Sequence, residues 1–413
     1  MKFIHISDLH FGKSIHGVSL EADQYHWIEE FVKLAAEEKP DAILIAGDVY
    51  DRSAPTNEAV VMFDKFLTDL CKLDCKPAVM LISGNHDSGY RLAFASSLLE
   101  KDNIFIGGVP SERIYSKTLT DEFGPVTFWL LPYVFPSRVK DLLHGEYHSY
   151  DEAIKALLEV QDIDFTQRNV IVCHQNVTAF GNEAERGGSE TMVGGVGGVD
   201  YATFDGFDYV ALGHIHRGQK VGRDQVRYCG SPMCYHFNET VQGEKGPLIV
   251  ELGEKGTDPV ITMRKIEPLH PMREISGTVA EILEHAANDY RRGEYLRAVL
   301  KDYSPDGTSE DQIRAAFAVK GSIVMDFDFE REKYGDAQAP DQQTLEEMSA
   351  EDLFLKFWEE RTGSEADEPT RELLSQIAEL AIHACDDEVT PTEKNVSDII
   401  DFAMKQEVQH ETE

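Results

Sequence analysis

Apolar and polar positions along the first ninety residues follow two alternating textures. Short apolar blocks at residues 2–6, 41–46 and 78–82, bounded by glycine, proline or polar turns, read as buried strands of a parallel sheet. Between them, apolar residues recur at helical spacing. Residues 21–38 place Trp27, Ile28, Phe31, Leu34 and Ala35 on one face, and residues 57–73 form a second helix. This strand-helix order predicts a parallel sheet with right-handed crossovers. Farther on, residues 113–133 have hairpin character, and residues 169–174 and 207–212 are again buried strands. Short strands at 226–229, 248–252 and 260–266 are expected to complete a second sheet.

After Pro268 and Pro271 the texture changes. Thr278 and Glu281 frame a capping box that opens a helix, residues 295–300 read as a strand, a second helix starts at Ser309, and residues 322–329 alternate as another strand. The division that follows is a large α/β domain over 1–268, a small α/β domain over 271–333, and a helical segment over 341–413 with helices at 345–361, 370–385 and 392–406. The glycines between Gly187 and Gly198 predict a surface loop. With no G-x-x-x-x-G-K-[ST] present, they are not a phosphate cradle of that type.

Composition narrows the function classes. No apolar run is long enough to span a bilayer, and the chain enters strand-like sequence directly from Met1, so the expected compartment is the cytoplasm. The six cysteines include no C-x-x-C pair, which argues against a disulfide framework and against a zinc knuckle. Seventy-five acidic against 39 basic residues give a formal charge of -36, which repels a polyanion at long range. Residues 341–413 concentrate this excess, with 21 acidic and 5 basic side chains. Any contact with nucleic acid must therefore be local, or assisted by bound cations or a basic partner.

The chemistry lies at strand ends. Asp8 and His10 follow the first strand, Asp48 the second, Asn85 and His86 the third; His174 and the pair His214 and His216 end two later strands. A Gly-Asp after a strand is by itself ordinary turn chemistry. Together, however, the ordered set D-x-H, G-D-x-x-D, G-N-H-D, H, G-H-x-H delivers carboxylate, amide and imidazole donors to one rim of a sheet, where α/β folds bind ligands. Residues two apart in extended chain share a face, so Asp8 with His10, and His214 with His216, can converge on one cavity. Such a donor set suits manganese, iron or zinc better than calcium. Two ions held in this way support hydrolysis of a phosphoester without a covalent nucleophile.

This ordered set resembles the signature of the calcineurin-like metallophosphoesterase superfamily. Within it, Ser7-Asp8-Leu9-His10-Phe11-Gly12-Lys13, Gly47-Asp48-Val49-Tyr50-Asp51, Leu131-Pro132-Tyr133, Gly213-His214-Ile215-His216 and Gly230-Ser231-Pro232 look like the bacterial SbcD nuclease family. The resemblance implies a two-sheet metallophosphoesterase sandwich flanked by helices, with a small capping domain that contacts DNA. It also implies two divalent metal ions, most typically manganese, one held by Asp8, His10, Asp48 and His216 and the other by Asp48, Asn85, His174 and His214. His86 would face the scissile phosphate, oriented by Asp51 or Asp87. In distant relatives a histidine typically stands at the position of Asp51, and that histidine's roles do not transfer. The implied activity is exonuclease and endonuclease action on DNA ends and hairpins in repair and recombination. The implied partners are DNA, an SbcC-type coiled-coil ATPase and a second nuclease subunit. The C-terminal helices then either pack on one another or dock on the ATPase. Two other readings stay open: a dinuclear-metal phosphodiesterase or phosphatase acting on a small molecule or nucleotide, and a scaffold for an ATPase.

Overall fold

The computed structural model describes residues 1–179, 198–301 and 308–329, with single positions at 355, 358 and 371. Most of the glycine-rich stretch between Gly187 and Gly198, the linker at 334–342 and the helices expected within 341–413 lie outside the described residues.

Two six-stranded sheets build the core. In the first, Lys2–Ile6, Ala42–Ala46, Ala78–Ile82 and Ile104–Gly107 run parallel. In the second, Arg223–Tyr228, Tyr209–Gly213, Arg168–His174 and Gly124–Leu131 run parallel, with antiparallel strands at both edges. The period-two rule explains the layers. Leu44 and Ala46 turn inward, toward Phe128, Val170, Val172 and Tyr209 of the second sheet. Ile43 and Ile45 turn outward, against Trp27, Ile28 and Phe31 of helix Glu21–Glu38 and Met62 and Phe66 of helix Asn57–Cys71. On the far side, Ile171, Cys173, Val210 and Leu212 pack on Ile154 and Leu157 of helix Tyr150–Glu159. The result is helix, sheet, sheet, helix, as the resemblance implies.

One expectation is corrected. The strands Leu248–Glu251 and Val260–Met263 do not join the second sheet; they extend the first, with Val250 opposite Phe3 in antiparallel register. An apolar period specifies how deeply a strand is buried and not which open edge it meets.

Residues beyond 268 form a three-stranded parallel sheet, Met272–Gly277, Tyr295–Leu300 and Ile323–Phe329, covered by helices Val279–Asn288 and Thr308–Ala318. The capping box is present in both halves: the Thr278 hydroxyl accepts from the Glu281 amide, and the Glu281 carboxylate accepts from the Thr278 amide. A small cluster of Ile15, Leu20, Tyr235, Phe237, Tyr295 and Met325 joins this domain to the main body. Asp23 reinforces the junction, accepting from the Tyr295 hydroxyl at 2.8 Å and pairing with the His270 ring at 3.0 Å.

Candidate metal centre

Every donor anticipated at a strand end reaches one rim, where the carboxyl ends of the two sheets meet. Backbone hydrogen bonds zip the first two loops together: Asp8 N donates to Gly47 O, His10 N to Asp48 O and Phe11 N to Val49 O, at 2.9–3.0 Å. The backbone is bent hard at this point. Asp8, His10, Asp48 and His214 all have positive φ, between 44° and 96°, a region that costs non-glycine residues energy and clusters at functional sites. Gly84 and Gly213 are glycines for a different reason: a Cβ on the first would strike Asp48, and one on the second would strike Ala46 O and the His174 ring.

Asp48 stands at the centre. Its Oδ2 lies 3.4 Å from His174 Nε2 and 3.7 Å from His10 Nε2, while its Oδ1 accepts from the His86 amide at 2.9 Å. On one side, Asp8, His10 and His216 bring donor atoms within 4.8 Å of one another; Asp8, Asp48 and His174 do the same on the other. Asn85 Oδ1 sits 3.1 Å from both His174 Nε2 and His214 Nδ1. Asp8, His10, Asp48, His174 and His216 are buried, whereas Asn85 is exposed and His86 and His214 are half-buried, so the centre is deep on one side and open on the other.

The electrostatics are those of a site built for cations. Burial pushes the Asp8 carboxyl up and the His10 ring well down. Burial opposes charge on His174 most strongly, but the Asp48 and Asp8 carboxylates and the Ala46 carbonyl together outweigh it and carry His174 up to about 9. Burial and the neighbouring Asp48 charge push Asp87 up to about 6. His10 Nε2 and His216 Nε2 face each other at 3.1 Å, and the buried His10 Nδ1 has no hydrogen-bond partner among the described residues. Two ring nitrogens at that separation, flanked by two carboxylates, fit a divalent cation and repel each other without a proton or cation between them.

The auxiliary residues divide differently from the sequence expectation. His86 Nδ1 pairs at 3.0 Å with the backbone carbonyl oxygen of Asp51, not with its carboxylate. The Asp51 carboxylate instead accepts from Lys13 Nζ at 2.7 Å and lies 3.6 Å from His10 Nδ1. Asp87 faces the backbone: its carboxylate accepts from the amides of Val49, Tyr50 and Gly84 at 2.9–3.0 Å, tying the Gly47 loop to the Gly84 loop.

This geometry has counterparts among known families. Residues 1–218 match the family model described as calcineurin-like phosphoesterase. The chain belongs to that family. It is accordingly a metal-dependent hydrolase of the two-metal type, and the His and Asp clusters supply donors of the required kind. Residues 268–362 match the SbcD C-terminal domain model, described as the type 5 capsule protein repressor C-terminal domain. Among solved structures, TT1561 of Thermus thermophilus aligns over 56% of this chain and 89% of its own length, at 13% identity and a TM-score of 0.34. No helix among the described residues is long and apolar enough to cross a membrane.

Behind the strand-end donors stands a group that no sequence pattern announced. Glu239 is completely buried, with Oε1 3.4 Å from His216 Nδ1 and Oε2 2.9 Å from Lys245 Nζ. Burial works against its charge, yet His216 and Lys245 hold the carboxyl down to about 2. It lies in a short 3-10 turn, Phe237–Val241, far from any ligand word, and its complete burial, which the sequence does not reveal, is what sets it apart from most acidic residues of the chain. Tyr133 was also passed over as a site residue: its ring lies 6.2 Å from that of His174 and 6.4 Å from that of His214, forming the wall on the open side.

Proposed function

We propose that this chain hydrolyses phosphodiester bonds in DNA, as the nuclease subunit of an assembly with an SbcC-type coiled-coil ATPase in the cytoplasm. The observation that carries the reading is the SbcD C-terminal domain match at residues 268–362, following the calcineurin-like phosphoesterase match at residues 1–218. Asp8, His10, Asp48 and His216 would hold one divalent ion and Asp48, Asn85, His174 and His214 the other, with manganese the preferred metal. Bound there, two ions supply the Lewis acidity for an in-line displacement at phosphorus.

The chain's own residues do the rest. His86 Nδ1 donates to the Asp51 carbonyl, and in the imidazolium form the second proton, on Nε2, would stabilise charge on the phosphoryl group or pass to the leaving oxygen. Asp87 keeps the loop that carries His86 aligned with the loop that carries Asp48. Tyr133 packs beside the His174 and His214 rings. With a formal charge of -36, steering of DNA falls to the metal centre and to basic surfaces of the partner. A second nuclease subunit belongs to the same reading. Val60 and Phe94, both exposed, share one surface cleft that a homodimer could cover.

The test is cleavage of a DNA hairpin with manganese, with and without the ATPase, beside turnover of bis-p-nitrophenyl phosphate and a cyclic nucleotide. Hairpin cleavage that falls at least about 100-fold in His86→Ala, with two metals retained, supports the reading. Inertness toward DNA even with the ATPase, alongside turnover of the small diesters, would replace it with the small-molecule phosphodiesterase.

A further inference from the structure

Histidine binds a metal through one nitrogen, and the hydrogen bond made by the other decides which one. His216 shows how this is arranged. Its Nε2 faces His10 Nε2 at 3.1 Å and Asp8 Oδ1 at 4.0 Å, so this nitrogen is the one available to an ion. Its Nδ1 faces Glu239 Oε1 at 3.4 Å, and an ionised carboxylate can only accept. The proton therefore belongs on Nδ1, and Nε2 keeps its lone pair.

A fully buried carboxylate is costly unless neutralised, and Lys245 does this. Its ammonium lies 2.9 Å from Glu239 Oε2 and also donates to the His216 carbonyl and the Ser231 hydroxyl, each at 2.7 Å. The amide of Tyr235 donates to the same carboxylate oxygen at 3.1 Å. With Lys245 balancing the charge, Glu239 Oε1 is left to accept the hydrogen bond from His216 Nδ1. We propose that Glu239 is the positioning residue of His216: it accepts the hydrogen bond from Nδ1, fixes the ring and commits Nε2 to the metal held by Asp8 and His10, while the Lys245 ammonium balances the buried carboxylate. Lys245 also lines a cavity of about 300 Å³ where Pro268, His270 and Tyr295 of the C-terminal junction meet the phosphoesterase body. The ion pair thus links that junction to a metal ligand in two contacts.

This inference rests on the ligand assignment above, and its test separates the two. Full-length protein labelled with 15N-histidine and stripped of metal is examined by long-range proton–nitrogen correlation, with His216→Asn to assign the ring. The expected result is the Nδ1–H tautomer at His216. Glu239→Gln combined with Lys245→Met removes both charges without stranding either. In that variant the Nε2–H tautomer should appear, and a manganese titration should show one of two sites weakened about 10- to 100-fold with the other unchanged. Circular dichroism and the melting curve establish that it is folded. Nε2–H in the wild type, or two sites of wild-type affinity in the folded variant, overturns the role of Glu239 alone. A wild-type protein that binds no divalent ion overturns the ligand assignment and this inference with it.

Discussion

Gly84→Ala tests the centre through its tightest steric constraint. Gly84 does not have positive φ, so alanine introduces no backbone strain there. What it introduces is a methyl carbon 2.7 Å from Asp48 Cγ, and closer still to Oδ1 and the amide nitrogen. Ordinary carbon contacts sit near about 3.5 Å, so the backbone of the Asp48 loop and the 83–87 loop must move apart by at least about 0.8 Å. Overpacking of this kind costs roughly 1–3 kcal/mol of stability, enough to lower the melting temperature by several degrees without unfolding the protein. A displacement approaching about 1 Å at a reacting centre costs about 100-fold in rate, or about 2.7 kcal/mol in transition-state stabilisation. Because Asp48 lies between His10 and His174, both metals should be lost together. The assay is metal content after gel filtration, with kcat/KM for bis-p-nitrophenyl phosphate in saturating manganese. Gly213→Ala is the contrast, since its methyl meets Ala46 O and the His174 ring and should disturb mainly the site that His174 serves. A Gly84→Ala protein with two metals and wild-type kcat/KM would refute the bridging position given to Asp48.

Two further outcomes concern the scaffold. His5 is fully buried with Nδ1 3.0 Å from the Tyr209 hydroxyl, and burial lowers its pKa to about 3. The unfolded chain therefore binds the proton first, so stability is complete above about pH 6.5 and falls as pH drops toward 3. The difference amounts to roughly 2 kcal/mol between pH 7.5 and 5, measurable by urea titration and absent from the His5 contribution in His5→Gln. Asp121 is paired with the buried Arg168, which holds its carboxyl well below the usual range. Asp121→Asn should cost roughly 3–5 kcal/mol at neutral pH because it leaves the buried guanidinium charge with no carboxylate and only the Gly124 and Gly253 carbonyls as acceptors, and equal midpoints for the two proteins in urea would contradict this.

The sequence was most informative where a residue's environment is set by its own strand or helix. The helix over Glu21–Glu38 and the strands Lys2–Ile6, Ala78–Ile82 and Tyr295–Leu300 fall where the apolar period places them. It was silent where the answer depends on distant chain. The pairing of Leu248–Glu251 with Lys2–Ile6 joins segments from opposite ends of the phosphoesterase body, and nothing in either segment names the other. Helices Pro136–Leu143 and Tyr150–Glu159 and the strand Met272–Gly277 went unread because each is short and only partly apolar. The strand-end donors were legible as a set because parallel topology carries strand ends to one rim. Glu239 was not, since its role comes from burial beside His216, well back along the chain.

Asp87 shows why the site needs more than its ligands. Four donor positions adopt left-handed backbones, each costing on the order of 1–2 kcal/mol. Something must hold the loops in those conformations. The backbone ladder between 8–11 and 47–49 supplies part of the restraint. The Asp87 carboxylate adds three bonds, from the amides of Val49, Tyr50 and Gly84, that fasten the Asp48 loop to the 83–87 loop, and the Asp8 carboxylate holds the His214 loop by accepting from its amide at 3.1 Å. On this reading the G-N-H-D word carries two separable tasks: Asn85 and His86 face the open side of the centre, while Asp87 turns back to secure the bent loop that presents Asp48.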